Sequence, residues 1–215
     1  MKQFLSILGL GLVAISGAQV KMSIEVGGKV LGTASVTQQV KSDGSKFLEY
    51  RMDWTSGQTK MTLRSQNTYD KEGAPIRKFM EAIIPGGKMQ RQIVATFDKE
   101  GANLVILDGG DRKTKQVPLT QTAPRKNKSE FWFLRDKPKV GDKVDSYVFN
   151  MDSLQWELQT ATFKGTKSIE IGGKKILAHE VETTGNRKAT AFLDDHGLPW
   201  LIESGSMTMR RIPEK

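Results

Sequence analysis

KFLEYRMDWT, residues 46–55, alternates strictly: Leu48, Tyr50, Met52 and Trp54 take one set of positions, Phe47, Glu49, Arg51 and Asp53 the other. Successive side chains of an extended chain point to opposite sides, so this pattern predicts a strand with one apolar and one mostly wetted face. Antiparallel sheets covered on one side have that character. Residues 153–163 repeat it, with Leu154, Trp156 and Leu158 alternating with Gln155, Glu157 and Gln159.

Weaker versions lie around these two segments. Strands are predicted at Val30–Gln39, Thr59–Thr68, Ile76–Ile84, Gln90–Phe97, Asn103–Leu107, Lys143–Asn150, Lys174–Thr183, Arg187–Leu193, Leu198–Glu203 and Ser206–Ile212. No long segment carries the helical period. One short helix is predicted at Ser129–Arg135, with Ser129 as its cap, Phe131 and Leu134 on a shared face and Pro138 beyond its end.

The turns agree with a hairpin protein. Asp70–Pro75 and Asp194–Pro199 share the pattern D-x-x-G-x-P, and Asp98–Asn103 repeats the first five residues of the Asp70 copy. Aspartate bonds its own following backbone, and glycine accepts the conformation that closes the turn. Ile24–Lys29 (IEVGGK) and Ile169–Lys174 (IEIGGK) both read as strand, Gly-Gly turn, strand. The expected architecture is mostly β, an antiparallel half-barrel or sandwich of about 10–13 strands with one short helix. These echoes flank a basic stretch, so the chain divides into two meanders, a possible pseudo-repeat, with residues 109–128 as the crossover inside a single domain, 19–215.

A resemblance rests on these turns. Pro138-Lys139-Val140-Gly141-Asp142 opens the second half, and Asp194–Pro199 lies near its end. This layout resembles exported bacterial half-barrel proteins, a loose group that includes the LolA/LppX-type lipoprotein carriers and related uncharacterised periplasmic families. The resemblance implies a curved sheet around an apolar cavity plugged by a helix. This chain offers little helix for the plug.

Residues 1–18 read as an export leader: Lys2, the apolar run Phe4–Ile15, then Ser16-Gly17-Ala18 at the cleavage spacing. The run of 12 residues falls short of the roughly 20 that span a bilayer as a helix. The expected destination is the periplasm or the exterior. The chain has no cysteine, which excludes thiol chemistry, cysteine metal sites and lipid attachment at a leader cysteine.

The formal charge is +9. Much of the excess sits in residues 111–128, where Arg112, Lys113, Lys115, Arg125, Lys126 and Lys128 face Asp111 alone. Such a segment suits an anionic membrane surface; nucleic acid is not an expected partner of an exported chain.

Catalytic patterns are missing. G-x-S-x-G does not occur, and H-E-x-x-H fails because Thr183 stands where the second histidine would be. His196 sits in a D-x-x-G turn. Carboxylates such as Glu49, Asp53 and Glu157 fall on wetted faces, where a glycosidase-like pair has no visible convergence. No cofactor or metal is implied. The remaining signal is apolar: Leu48, Tyr50, Met52, Trp54, Met61, Leu63, Leu154, Trp156, Leu158 and Trp200 on the expected inward face. In a closed interior they form a core; around a wide half-barrel they line a cavity. Three functions follow in order: a non-enzymatic envelope protein of structural or protein-interaction type; a binding module for an apolar or lipid-like ligand; a hydrolase with a carboxylate pair.

Overall fold

The computed structural model describes residues 16–84, 89–119, 132–185 and 188–213. Its strands are β1 (Ser16–Val26), β2 (Lys29–Val40), β3 (Lys46–Ser56), β4 (Thr59–Tyr69), β5 (Pro75–Ile84), β6 (Met89–Asp98), β7 (Gly101–Asp108), β8 (Asp111–Pro118), β9 (Lys143–Asn150), β10 (Gln155–Ile171), β11 (Lys174–Thr184), β12 (Ala189–Leu193), β13 (Pro199–Ser204) and β14 (Met207–Arg211). They form one antiparallel sheet in the order β8-β7-β6-β5-β4-β3-β2-β1-β14-β13-β12-β11-β10-β9. Two meanders, β1–β8 and β9–β14, are joined where β1 pairs with β14. The sheet is unclosed: β8 and β9 are its two edges.

The count of 14 strands exceeds the expected range because two further full strands form: β1, expected only as a short run before Gly27, and β8, since the basic segment is not all crossover. Residues 111–118 pair with β7 through the Gly109-Gly110 turn. Arg112, Lys113 and Lys115 stand exposed on this edge strand, where charge discourages further strand pairing. Charge density hid the strand, because β8 covers little apolar surface. Arg125, Lys126 and Lys128 lie outside the described residues. The expected helix is also corrected. Of Ser129–Arg135 the described part holds a single turn, Trp132–Arg135, too short to pack as a helix. It buries Trp132 and Phe133; Phe131 and the Leu134 side chain, the expected helix face, lie outside the described residues.

Turn chemistry organises the two ends. Gly27-Gly28 and Gly172-Gly173 adopt nearly the same left-handed pair, φ 57° and 78° against 58° and 77°, as two-residue hairpin turns require. Asp70 Oδ1 accepts the backbone N–H groups of Glu72 and Ala74. Asp194 Oδ1 accepts those of His196 and Leu198 in the same way. Asp98 does the same for Glu100 and Gly101. Alternation of the hairpins puts these three aspartate turns at one end of the sheet. The turn Trp132–Arg135 lies at that end too, because β8 finishes there and β9 starts there.

Register assigns the faces. Tyr50 faces Val36 and Ser65, and Met52 faces Ala34 and Leu63. This concave side also carries Val20, Met22 and Ile24, buried with Ala34, Val36 and Leu198 in one cluster that Tyr50, Met52, Trp54, Met207 and Met209 complete. The unpaired edges are brought together by side chains. Phe149 of β9 and Trp156 of β10 are cross-strand partners and pack against Ala95, Phe97, Ala102 and Leu104 of β6 and β7. The Phe97, Phe149 and Trp156 rings meet edge to face at 5.3–5.7 Å. Trp156 Nε1 donates to the Val117 carbonyl of β8 at 3.4 Å, and Lys78 Nζ of β5 to that of Phe149 at 3.5 Å. The β9 edge is therefore tucked under the concave side of β5–β8, and the sheet rolls over itself.

Candidate ligand cavity

Tucking one face of β9–β10 under β5–β8 turns the other face towards the interior. Val144 and Ser146 of β9 and Gln159 and Ala161 of β10 point that way, opposed in register as Ser146–Gln159 and Val144–Ala161. Val181 and Thr183 of β11 continue the same face beside Phe163 and Ala161. Ala191 and Ile202 extend it through β12 and β13. Between this face and Tyr50 lies a cavity of about 320 Å³. Trp132 and Phe133 border it, with Leu193, Gly197 and Pro199. Both aromatic rings are anchored in a buried cluster with Val144, Phe163 and Val181.

The wall is mainly apolar but carries Ser146, Gln159 and Thr183. Gln159 lies directly across from Ser146, and Thr183 across from Ala161, two residues along the same face. None of the three side chains makes a hydrogen bond among the described residues. No charged side chain lines the cavity among them either. Two recesses flank the turn. One, of about 220 Å³, is bordered by Trp132, Asp136, Pro138, Asp142, Lys143 and Val144. The other, of about 370 Å³, is bordered by Phe133, Lys137, Pro138, Phe163, His179 and Asp195. His179 Nε2 lies 3.0 Å from Asp195 Oδ1, and its ring is flanked by Phe133 and Phe163.

The ten apolar residues picked out in the sequence divide unevenly. Only Tyr50 borders the cavity. Leu48 is buried at 2% exposure, and Met52 and Trp54 pack into the β1–β2 cluster. Met61 and Leu63 share the concave side, opposite Trp54 and Met52. Trp156 and Leu158 are a correction: their face points away from the cavity. Trp156 is packed under β8, while Leu158, beyond that cover, is 46% exposed. Leu154 sits in the β9–β10 turn with φ 55° and rests on the same cluster as Trp156. Trp200 stacks on the Arg211 guanidinium at 3.7 Å. Sequence reasoning missed Ser146, Gln159 and Thr183 because they are polar: Gln159 alternates with Leu154, Trp156 and Leu158, so the pattern assigned it to the wetted face.

The carboxylates do not converge on the cavity. Glu49 binds Arg64 and Gln66, Asp53 binds Arg51 and Thr62, and Glu157 binds Asn150 and Ser153. The bonds from Arg51 and Thr62 hold the Asp53 carboxyl below its usual range. Burial pushes Glu49 up, but bonds from Gln66 and Arg64 outweigh it and leave the group lowered.

No family model and no curated protein sequence matches the chain. Among solved structures it is similar to the crystal structure of a beta-barrel-like protein of the domain of unknown function DUF1849 from Brucella abortus. The match has a TM-score of 0.58 at 10% identity and covers 93% of this chain and 95% of that one. The fold is therefore of a beta-barrel-like type, and the likeness extends over nearly the whole of both chains.

Proposed function

We propose that this chain is an exported, non-enzymatic binding module that holds one small, largely apolar molecule between the β9–β13 face and Tyr50. The observation that carries the reading is the set Ser146, Gln159 and Thr183, without side-chain hydrogen bonds among the described residues and bordering a cavity of about 320 Å³. Polar side chains in protein interiors ordinarily find partners, and pockets that take small molecules combine an apolar wall with a few such groups. The size lies at the low end of the roughly 300–1,000 Å³ typical of ligand pockets. It suits a single short chain or ring better than the several acyl chains of a lipoprotein. Export rests on residues 1–18.

Native mass spectrometry of the protein secreted by an exporting host tests the reading, with its organic extract analysed beside it. An added mass lost on extraction is the expected result. Ala191→Phe, which fills the cavity, should lose that mass while remaining folded. A ligand-free mass for the parent would instead favour the second reading, an envelope protein that acts through its surface, for which the closely packed β1–β8 interior speaks.

A further inference from the structure

We infer that the free edge of β8 binds an extended acidic segment of a partner protein, which joins the sheet as a further antiparallel strand. None of the β8 residues borders the cavity, and this partner is a peptide chain, not the small molecule held there.

β8 ends the sheet, with β7 on one side and no strand on the other among the described residues. The opposite edge, β9, lies under β5–β8, whereas residues 111–116 of β8 are all exposed. The strand runs eight residues, in unbroken register with β7 from Asp108–Asp111 to Gly101–Pro118. Neither a bulge nor short length blunts it.

The register fixes where its backbone groups point. A two-residue turn makes its flanking pair, Asp108 and Asp111, exchange hydrogen bonds. At the other end the Leu119 N–H donates to the Glu100 carbonyl at 2.9 Å. Asp111, Lys113, Lys115 and Val117 therefore bond to β7. Arg112, Thr114 and Gln116 turn their N–H and C=O groups outwards, the template on which a strand is added. Pro118 agrees: its nitrogen, with no hydrogen to give, falls on the outward side, where an edge strand tolerates proline.

Side chains choose the partner. Arg112 stands on one face of β8, and Lys113 and Lys115 on the other. Antiparallel pairing with a second copy of β8 sets Lys113 against Lys115 when centred on Thr114, and against itself when centred on Lys113. Like charges directly opposite are destabilising. The charge that keeps like edges apart favours a strand of opposite sign. Asp111 disfavours an acid across from it and so limits the acidic run. Counted from the amino end of the added strand, the complement is acid, any residue, acid, acid, opposite Lys115, Thr114, Lys113 and Arg112.

The test titrates the secreted protein with acetyl-Thr-Glu-Val-Glu-Glu-Thr-amide, followed through its backbone amides by NMR. The Arg112, Thr114 and Gln116 amides are expected to shift and to gain protection from hydrogen exchange. The same peptide with lysine for glutamate should bind about tenfold or more weakly. Methylating the valine nitrogen, opposite Thr114, keeps every charge and removes one inter-strand hydrogen bond, so affinity should fall about fivefold or more. Thr114→Pro removes the reciprocal bond and leaves those to β7 in place; circular dichroism checks its fold, and the methylated peptide carries the test if it fails. Equal binding of the two peptides would overturn the acidic preference. Binding that survives both the methylated peptide and Thr114→Pro would overturn strand addition. Failure of the acidic peptide to bind, with phosphatidylglycerol vesicles bound instead, would overturn the peptide partner and assign these bases to a membrane surface. Dimerisation through β8 in sedimentation would overturn it in favour of a second copy.

Discussion

The two meanders share their turn chemistry but differ in what fills them. In β1–β8 the concave side is occupied by its own side chains and by the inserted Phe149 and Trp156; Met22, Leu48 and Ile93 are the largest fully buried residues. In β9–β14 the corresponding side carries Ser146, Gln159, Ala161, Thr183 and Ala191 around a cavity. Side-chain size accounts for the contrast. Leucine, methionine and tryptophan reach across a rolled sheet, whereas serine, alanine and threonine stop short of it. A single strand pair, β9–β10, serves both regions, with its aromatic face closing one and its small polar face opening the other.

The largest effect should come from the shared wall. Phe149→Ala and Trp156→Ala should each destabilise by about 3–5 kcal/mol in urea unfolding. Because the rings touch, the double variant should cost less than the sum. A cost below about 1 kcal/mol for Trp156→Ala would mean that the β9 edge is not tucked under β8. Next come the matched aspartate turns. Asp70→Ala removes two charge-assisted hydrogen bonds and should cost about 1–2 kcal/mol. Asp194→Ala removes the equivalent two and also strands Arg211, whose guanidinium lies 2.8 Å from Asp194 Oδ2 with both side chains largely covered. It should cost about 1–2 kcal/mol more than Asp70→Ala in the same urea unfolding assay. Equal losses would make the two turns energetically equivalent.

Gln159→Leu sharpens the contrast from the hollow side. It breaks no hydrogen bond among the described residues, so stability should change by no more than about 0.5 kcal/mol, while the ligand mass seen by native mass spectrometry falls. A large destabilisation would show Gln159 to be part of a packed core. The last effect concerns acid. Asp53 and Glu49, on the outer face of β3, have folded pKa values lowered from 3.8 and 4.5. A lowered carboxyl contributes stability that is present above its unfolded pKa and is lost as pH falls through the folded one. Asp53→Asn should therefore flatten the decline in melting temperature on acidification below pH 3.8. Solvent screening keeps its contribution under about 1 kcal/mol.

Much of the fold was legible. Alternation at Lys46–Thr55 reports a strand wherever one face is covered, and the aspartate and Gly-Gly turns report hairpins through local bonds that need no tertiary partner. β8 escaped because an edge strand need not bury an apolar face. The cavity was barely legible: Tyr50 was found, but Trp156 and Leu158 were assigned to its wall. Period two separates the faces of a strand without saying which faces inward, and where a sheet rolls over its own edge, both faces of one strand are covered.

The sequence by itself determined an antiparallel meander and its turns, both properties of adjacent residues. Tertiary structure alone decided that the β9 edge lies under β5–β8, that Ser146, Gln159 and Thr183 share a cavity, and that the Trp132 N–H is buried without an acceptor. Those facts depend on the curvature of the whole sheet, the sum of small twists over 14 strands, which no local stretch of residues encodes.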